Sequence, residues 1–71
     1  MPVEIKAPIT GSVWKIVKVI GDTVKEYDVI MVIESMKMEI PVEAPQNGRI
    51  TAITVQEGAS VIEEETVAVL D

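Results

Sequence analysis

Residues 7–34 can be written above residues 44–71 without a gap, at an offset of 37. Ala7-Pro8 falls on Ala44-Pro45, Gly11 on Gly48, Ile16 on Ile53, Gly21 on Gly58, Val24 on Val61, Glu26 on Glu63 and Val32 on Val69. These are eight identities in 28 positions, where a Val- and Ile-rich composition alone would supply roughly three. Val13 with Ile50, Ile33 with Leu70 and Glu34 with Asp71 are conservative pairs, and Val3–Lys6 falls on Ile40–Glu43. A repeat this regular restricts the fold to two like units packed on each other. The chain is read as one domain, 1–71, made of half-repeats 1–37 and 38–71.

The repeated unit is strand-like. Val and Ile dominate the apolar content, and both favour extended backbone. The first half reads as strands at Val3–Lys6, from Gly11 through Val13, Ile16 and Val19, at Thr23-Val24 and at Val29–Glu34. The second half repeats them at Glu39–Glu43, Gly48–Val55, Ser60–Ile62 and Thr66–Leu70. Ala7-Pro8 ends the first strand because proline cannot donate to a ladder, and Gly21-Asp22 and Glu57-Gly58 are turn signals. Ile50, Ile53 and Val55 are spaced three then two. A strict pleat cannot put all three on one face, so a bulge is expected near Ala52. In the first half Lys18 interrupts the same pattern, so Val19 or Ile20 is expected to take the inward place. Eight short strands with regular turns read as an all-β sandwich or flattened barrel, with the two-fold symmetry of the sequence carried into the structure. The central hairpin and the termini are then expected at opposite ends.

Composition excludes several kinds of chemistry. With no His and no Cys in the chain, nucleophilic triads and thiolate or imidazole metal sites are ruled out. The four glycines are scattered singly, so no phosphate-cradling loop is present. Glu63-Glu64-Glu65 is read as a solvated turn rather than a metal site. The net charge of -6 lies wholly in the second half. Residues 1–37 hold five acids and five lysines, and residues 38–71 seven acids and only Arg49. An acidic, aromatic-poor chain does not suit nucleic acid. No apolar run approaches the roughly 20 residues of a membrane span and no signal peptide is visible, so a soluble, cytoplasmic domain is expected. No catalytic residue of its own is assigned.

The centre of the chain stands apart from this repetition. Val29–Ile33 and the run through Ile40 and Val42 are two strands separated by a few polar or flexible residues, the signature of a hairpin. Lys37 falls at its tip, the most exposed place a hairpin offers. Solvated lysine amines are protonated at neutral pH and poor as bases, so this one suits an attachment point that an external enzyme must reach. Met36 and Met38 flank it where no core is expected, as flexible thioethers able to fit a partner's apolar groove.

Glu34-Ser35-Met36-Lys37-Met38-Glu39 resembles the attachment motif of biotinyl domains, the biotin carboxyl carrier family. The usual core of that motif is Met-Lys-Met preceded by Ala or Ser. The resemblance spans essentially the whole chain, including the Ala-Pro pairs, Gly11, Gly48 and Gly21-Asp22 ahead of a valine. It implies a flattened barrel of two four-stranded antiparallel sheets related by a quasi-two-fold axis. It also implies biotin on the ε-amine of Lys37, attached by a biotin protein ligase. A biotin carboxylase using ATP and bicarbonate would load carboxylate, and a carboxyltransferase would deliver it in an acyl-CoA, pyruvate or decarboxylase-type system. Met36, Met38, Glu34 and Ser35 would position the tip and be recognised by the ligase, with Glu39 as a second flanking charge. Two other functions share the fold: a lipoyl carrier, whose tip is usually Asp-Lys-Ala, and an unmodified docking domain. Many relatives carry Gly where this chain has Tyr27, at a backbone position that calls for positive φ. Its repeat mate is Glu64, so both turns are expected to use a different geometry. The gapless repeat leaves no room for the protruding thumb of bacterial acetyl-CoA carboxylase-type relatives.

Overall fold

The computed structural model describes residues 2–71; Met1, which the repeat sets opposite Met38, lies outside the described residues. Eight strands and no helix are present among them: β1 (Val3–Lys6), β2 (Gly11–Ile16), β3 (Thr23–Val24), β4 (Val29–Ser35), β5 (Met38–Glu43), β6 (Gly48–Ile53), β7 (Ser60–Val61) and β8 (Thr66–Leu70). They form two antiparallel four-stranded sheets, ordered β1-β8-β6-β3 and β5-β4-β2-β7. Advancing every strand by four turns the first order into the second, so a quasi-two-fold relation exchanges the sheets. Each sheet holds two strands from either half of the chain. Neither half is a sheet by itself, and the β1–β8 and β4–β5 ladders knit the halves together.

Bulges let the pleat feed one core. The β6–β8 register shifts between Ile50 and Ala52, which leaves Thr51 as the extra residue next to the position expected from spacing. The mate of Thr51 is Trp14, and β2 shifts there too, between Val13 and Lys15. Trp14 is accordingly half exposed, at 50%. Further shifts fall at Ile30 in β4 and beside Val67, opposite β1. They explain how Ile30-Met31 and Val67-Ala68 are buried as adjacent pairs, which strict alternation forbids.

Two expectations fail. β2 ends at Ile16 rather than Val19, and its counterpart β6 at Ile53 rather than Val55. The Val17 and Lys18 amides both donate to the Ile30 carbonyl, at 2.9 and 3.1 Å, and a turn follows at once. Val19 and Ile20 therefore point outward, 62% and 61% exposed, and neither joins the core. The Tyr27 and Glu64 turns do not depart from the glycine geometry. Tyr27 has φ 76° and Glu64 φ 75°, each the third residue of a turn closed by an i to i+3 hydrogen bond (Asp28 N–H to the Lys25 carbonyl, Glu65 N–H to the Ile62 carbonyl). Neighbours over-determine both turns. The Tyr27 amide donates to the Ala44 carbonyl and the Glu64 amide to the Ala7 carbonyl, each at 2.9 Å. The Asp28 and Glu65 carboxylates accept the Lys25 and Ile62 amides. Enough bonds converge to hold a side-chain-bearing residue in a left-handed conformation.

The body is elongated, 33 × 17 × 17 Å. Asp71 exchanges both backbone hydrogen bonds with Arg49, near the Asp28–Ala44 contact at the foot of β4. From there β4 climbs about 20 Å at ~3.3 Å per residue. The hairpin tip and the last strand's end thus lie at opposite ends of the long axis.

Candidate functional site

β4 and β5 pair in register from Val29↔Glu43 up to Ser35↔Met38, with one shift at Ile30. The ladder leaves two residues to make the turn, Met36 and Lys37. Both have positive φ, 50° and 66°, the signature of a type I′ turn, whose twist matches the flanking strands. That turn favours Asn-Gly. A side chain in left-handed backbone costs roughly 1–2 kcal/mol, so Met36 and Lys37 are not residues the turn would select. Backbone strain held by a firm scaffold is a pointer to a functional site.

The turn pushes its side chains outward. Met36 is 91% exposed and Met38 57%; Lys37 is exposed and Ser35 half-buried. Met31, in the same hairpin, is fully buried, which separates core methionine from displayed methionine within one element. Glu34 and Glu39 sit directly opposite each other, both exposed. Like charges facing across a ladder weaken it. Here they place one carboxylate on each strand just below the turn. No group of three or more acidic residues converges as a metal site among the described residues, and Glu63, Glu64 and Glu65 are exposed.

The tertiary structure adds neighbours that the linear motif does not contain. Thr10, Ser12, Ser60 and Ile62 line an open groove with Lys37 and Glu34. β2 and β7 bring them there: Gly11 pairs with Val61 and Ser12 with Ser60, while Ser12 also faces Glu34. Gly11 lets β2 lie this close, because a Cβ at that position would strike the Glu34 carbonyl oxygen. Mismatches in the repeat are the available sequence signal, since Ser12 aligns with Arg49 and Ile62 with Lys25.

Residues 1–70 match the family model described as "Biotin-requiring enzyme". The chain is 36% identical over 70 residues to the biotinylated protein TB7.3 homolog of Mycobacterium leprae, covering 99% of both. It is 45% identical over 53 residues to the mitochondrial methylcrotonoyl-CoA carboxylase subunit alpha of Rattus norvegicus, covering 75% of this chain but 7% of that one. Over its full length it superposes on part of the urea carboxylase of Kluyveromyces lactis with a TM-score of 0.95 and 32% identity, spanning 6% of that chain. The chain thus corresponds to a small portion of the large carboxylases it matches and to nearly all of the short biotinylated protein. The whole-length match, the paired sheets and the Met-Lys-Met turn agree: this chain belongs to the biotin/lipoyl attachment family, as a biotinyl domain of the biotin carboxyl carrier type.

Proposed function

We propose that the ε-amine of Lys37 is the attachment point for biotin, joined as an amide by a biotin protein ligase, and that the domain ferries carboxylate between two enzymes. One would be a biotin carboxylase. The other would be a carboxyltransferase of an acyl-CoA, pyruvate or decarboxylase-type system. The observation that carries this reading is the exposed left-handed turn at Met36-Lys37, held at the end of the β4–β5 ladder. When bound, biotin supplies a ring nitrogen that takes up carboxylate in one active site and gives it up in another.

The chain's own contribution is presentation. The β4–β5 ladder fixes the direction in which Lys37 leaves the body. Met36 and Met38 offer polarizable apolar contact to the enzymes that must grip the tip. Ser35 closes the ladder against Met38, and Glu34 and Glu39 give the tip a charge signature for recognition. Amide formation removes one positive charge and takes the formal net charge from -6 to -7. The domain acts as a carrier and its partners hold the catalytic groups.

Intact mass after co-expression with a biotin ligase, and separately with a lipoyl ligase, tests this. The expected result is a gain of one biotin, absent in Lys37→Ala. Replacing Met36 by Asp and Met38 by Ala should lower biotinylation if those side chains are recognised; unchanged modification refutes their role. A lipoyl gain, or no gain with either ligase, overturns the reading.

A further inference from the structure

Beside the tip, Thr10, Ser12, Glu34, Lys37, Ser60 and Ile62 line an open groove of about 560 Å3. We propose that it is a resting seat for the biotinyl arm of Lys37, holding the bicyclic ring against the domain between visits to partner enzymes. The inference rests on Lys37 being the biotinylated residue.

The quasi-two-fold relation supplies an internal comparison. At the opposite end, the groove-lining positions Thr10, Ser12, Ser60 and Ile62 are occupied by Asn47, Arg49, Thr23 and Lys25. The same backbone there carries two long cations. At the tip it carries small hydroxyls and one exposed isoleucine beside Glu34 and Lys37, so these four positions are free of charge at the tip end alone. Ile62 is 69% exposed, an apolar side chain displayed next to the attachment lysine.

The chemistry of the lining matches the group. A cyclic urea presents one carbonyl acceptor and two N–H donors, and a hydroxyl can both donate and accept. The Ser12 and Ser60 hydroxyls bond to no protein atom among the described residues. The Thr10 hydroxyl accepts the Glu63 amide at 2.9 Å, which leaves its own proton to donate. Ile62 and the exposed thioether of Met36 suit the sulfur-bearing edge of the ring and the alkyl chain. Sites of this kind pair an apolar surface with a few placed polar groups. Lys37 itself lines the groove, so its flexible stem needs only to fold back. Because the arm is tethered, its effective concentration is high and weak contacts suffice.

Amide NMR spectra of the whole chain, before and after biotinylation confirmed by mass, test the seat. Shifts are expected at Ser12, Ser60, Val61 and Ile62 in addition to the tip. Ile62→Lys, which installs the residue type of the other end, should remove the remote shifts while the tip shifts remain. It should also speed capture of the ring by avidin about threefold, the factor for a ring seated two-thirds of the time. Val19→Lys, the same charge change at the far end, should leave capture unchanged. Shifts confined to Ser35–Glu39, or capture indifferent to Ile62→Lys, overturn the seat and leave the carrier reading standing. Failure of Lys37 to gain biotin overturns both.

Discussion

The two ends of this barrel share a backbone and differ in what they display. Every fully buried apolar side chain among the described residues has a buried mate 37 positions away: Ile5 with Val42, Ala7 with Ala44, Val13 with Ile50, Val24 with Val61, Ile30 with Val67, Met31 with Ala68, and Ile33 with Leu70. Left-handed residues follow the same rule at Gly21 and Gly58 and at Tyr27 and Glu64. Met36 and Lys37, also left-handed, link the two halves and stand outside the 37-residue pairing. Features that hold the fold together are duplicated. Beside the linking turn the match breaks, since Thr10, Ser12 and Ile62 have Asn47, Arg49 and Lys25 as mates. Stability therefore resides in what the halves share, and the proposed function in the turn that links them and the residues beside it.

The largest test of that division is in the core. Ile33→Ala and Leu70→Ala occupy equivalent places, so each should cost about 3 kcal/mol, a large share of the roughly 4–10 kcal/mol expected for a chain of this size. Urea titration of both variants checks it, and a difference above about 2 kcal/mol would mean that the halves are not energetically alike. A smaller effect of opposite sign is expected at the tip. Met36→Asn combined with Lys37→Gly supplies the pair a type I′ turn prefers. It should stabilise the domain by about 1–2 kcal/mol and abolish biotin uptake, seen by denaturation and intact mass. Loss of stability there would show that the tip residues support the fold after all. The smallest effect is at the duplicated turns. Tyr27→Gly and Glu64→Gly should each stabilise by about 0.5 kcal/mol, left-handed strain relieved minus the added freedom of the unfolded chain. The two gains should be similar and additive, since the turns lie at opposite ends.

How much of this was legible follows from where the information sits. Repeat, strand content and the tip lysine are local or periodic features, and pattern is enough to read them. The bulge near Ala52 was legible because three apolar residues broke the two-residue period; its twin at Trp14 was not, because Lys18 obscured the same spacing. Val19 and Ile20 misled for a related reason. Apolar character says that a residue can be buried, while the early end of β2 and the turn after it decide that these two are not. The Tyr27 and Glu64 turns misled in the other direction, since a glycine-free sequence hides a geometry that distant carbonyls and neighbouring carboxylates enforce.

The amino-acid order was sufficient for an all-β chain of two like halves with one lysine set apart, because side-chain alternation and turn chemistry act over a few residues. It did not reveal that each half lends two strands to each sheet, nor that Thr10, Ser12, Ser60 and Ile62 gather around Lys37. Those facts depend on pairing between strands far apart in sequence, and many pairings satisfy the same alternation. Only the packed pair of sheets, which must bury one core at once, selects among them.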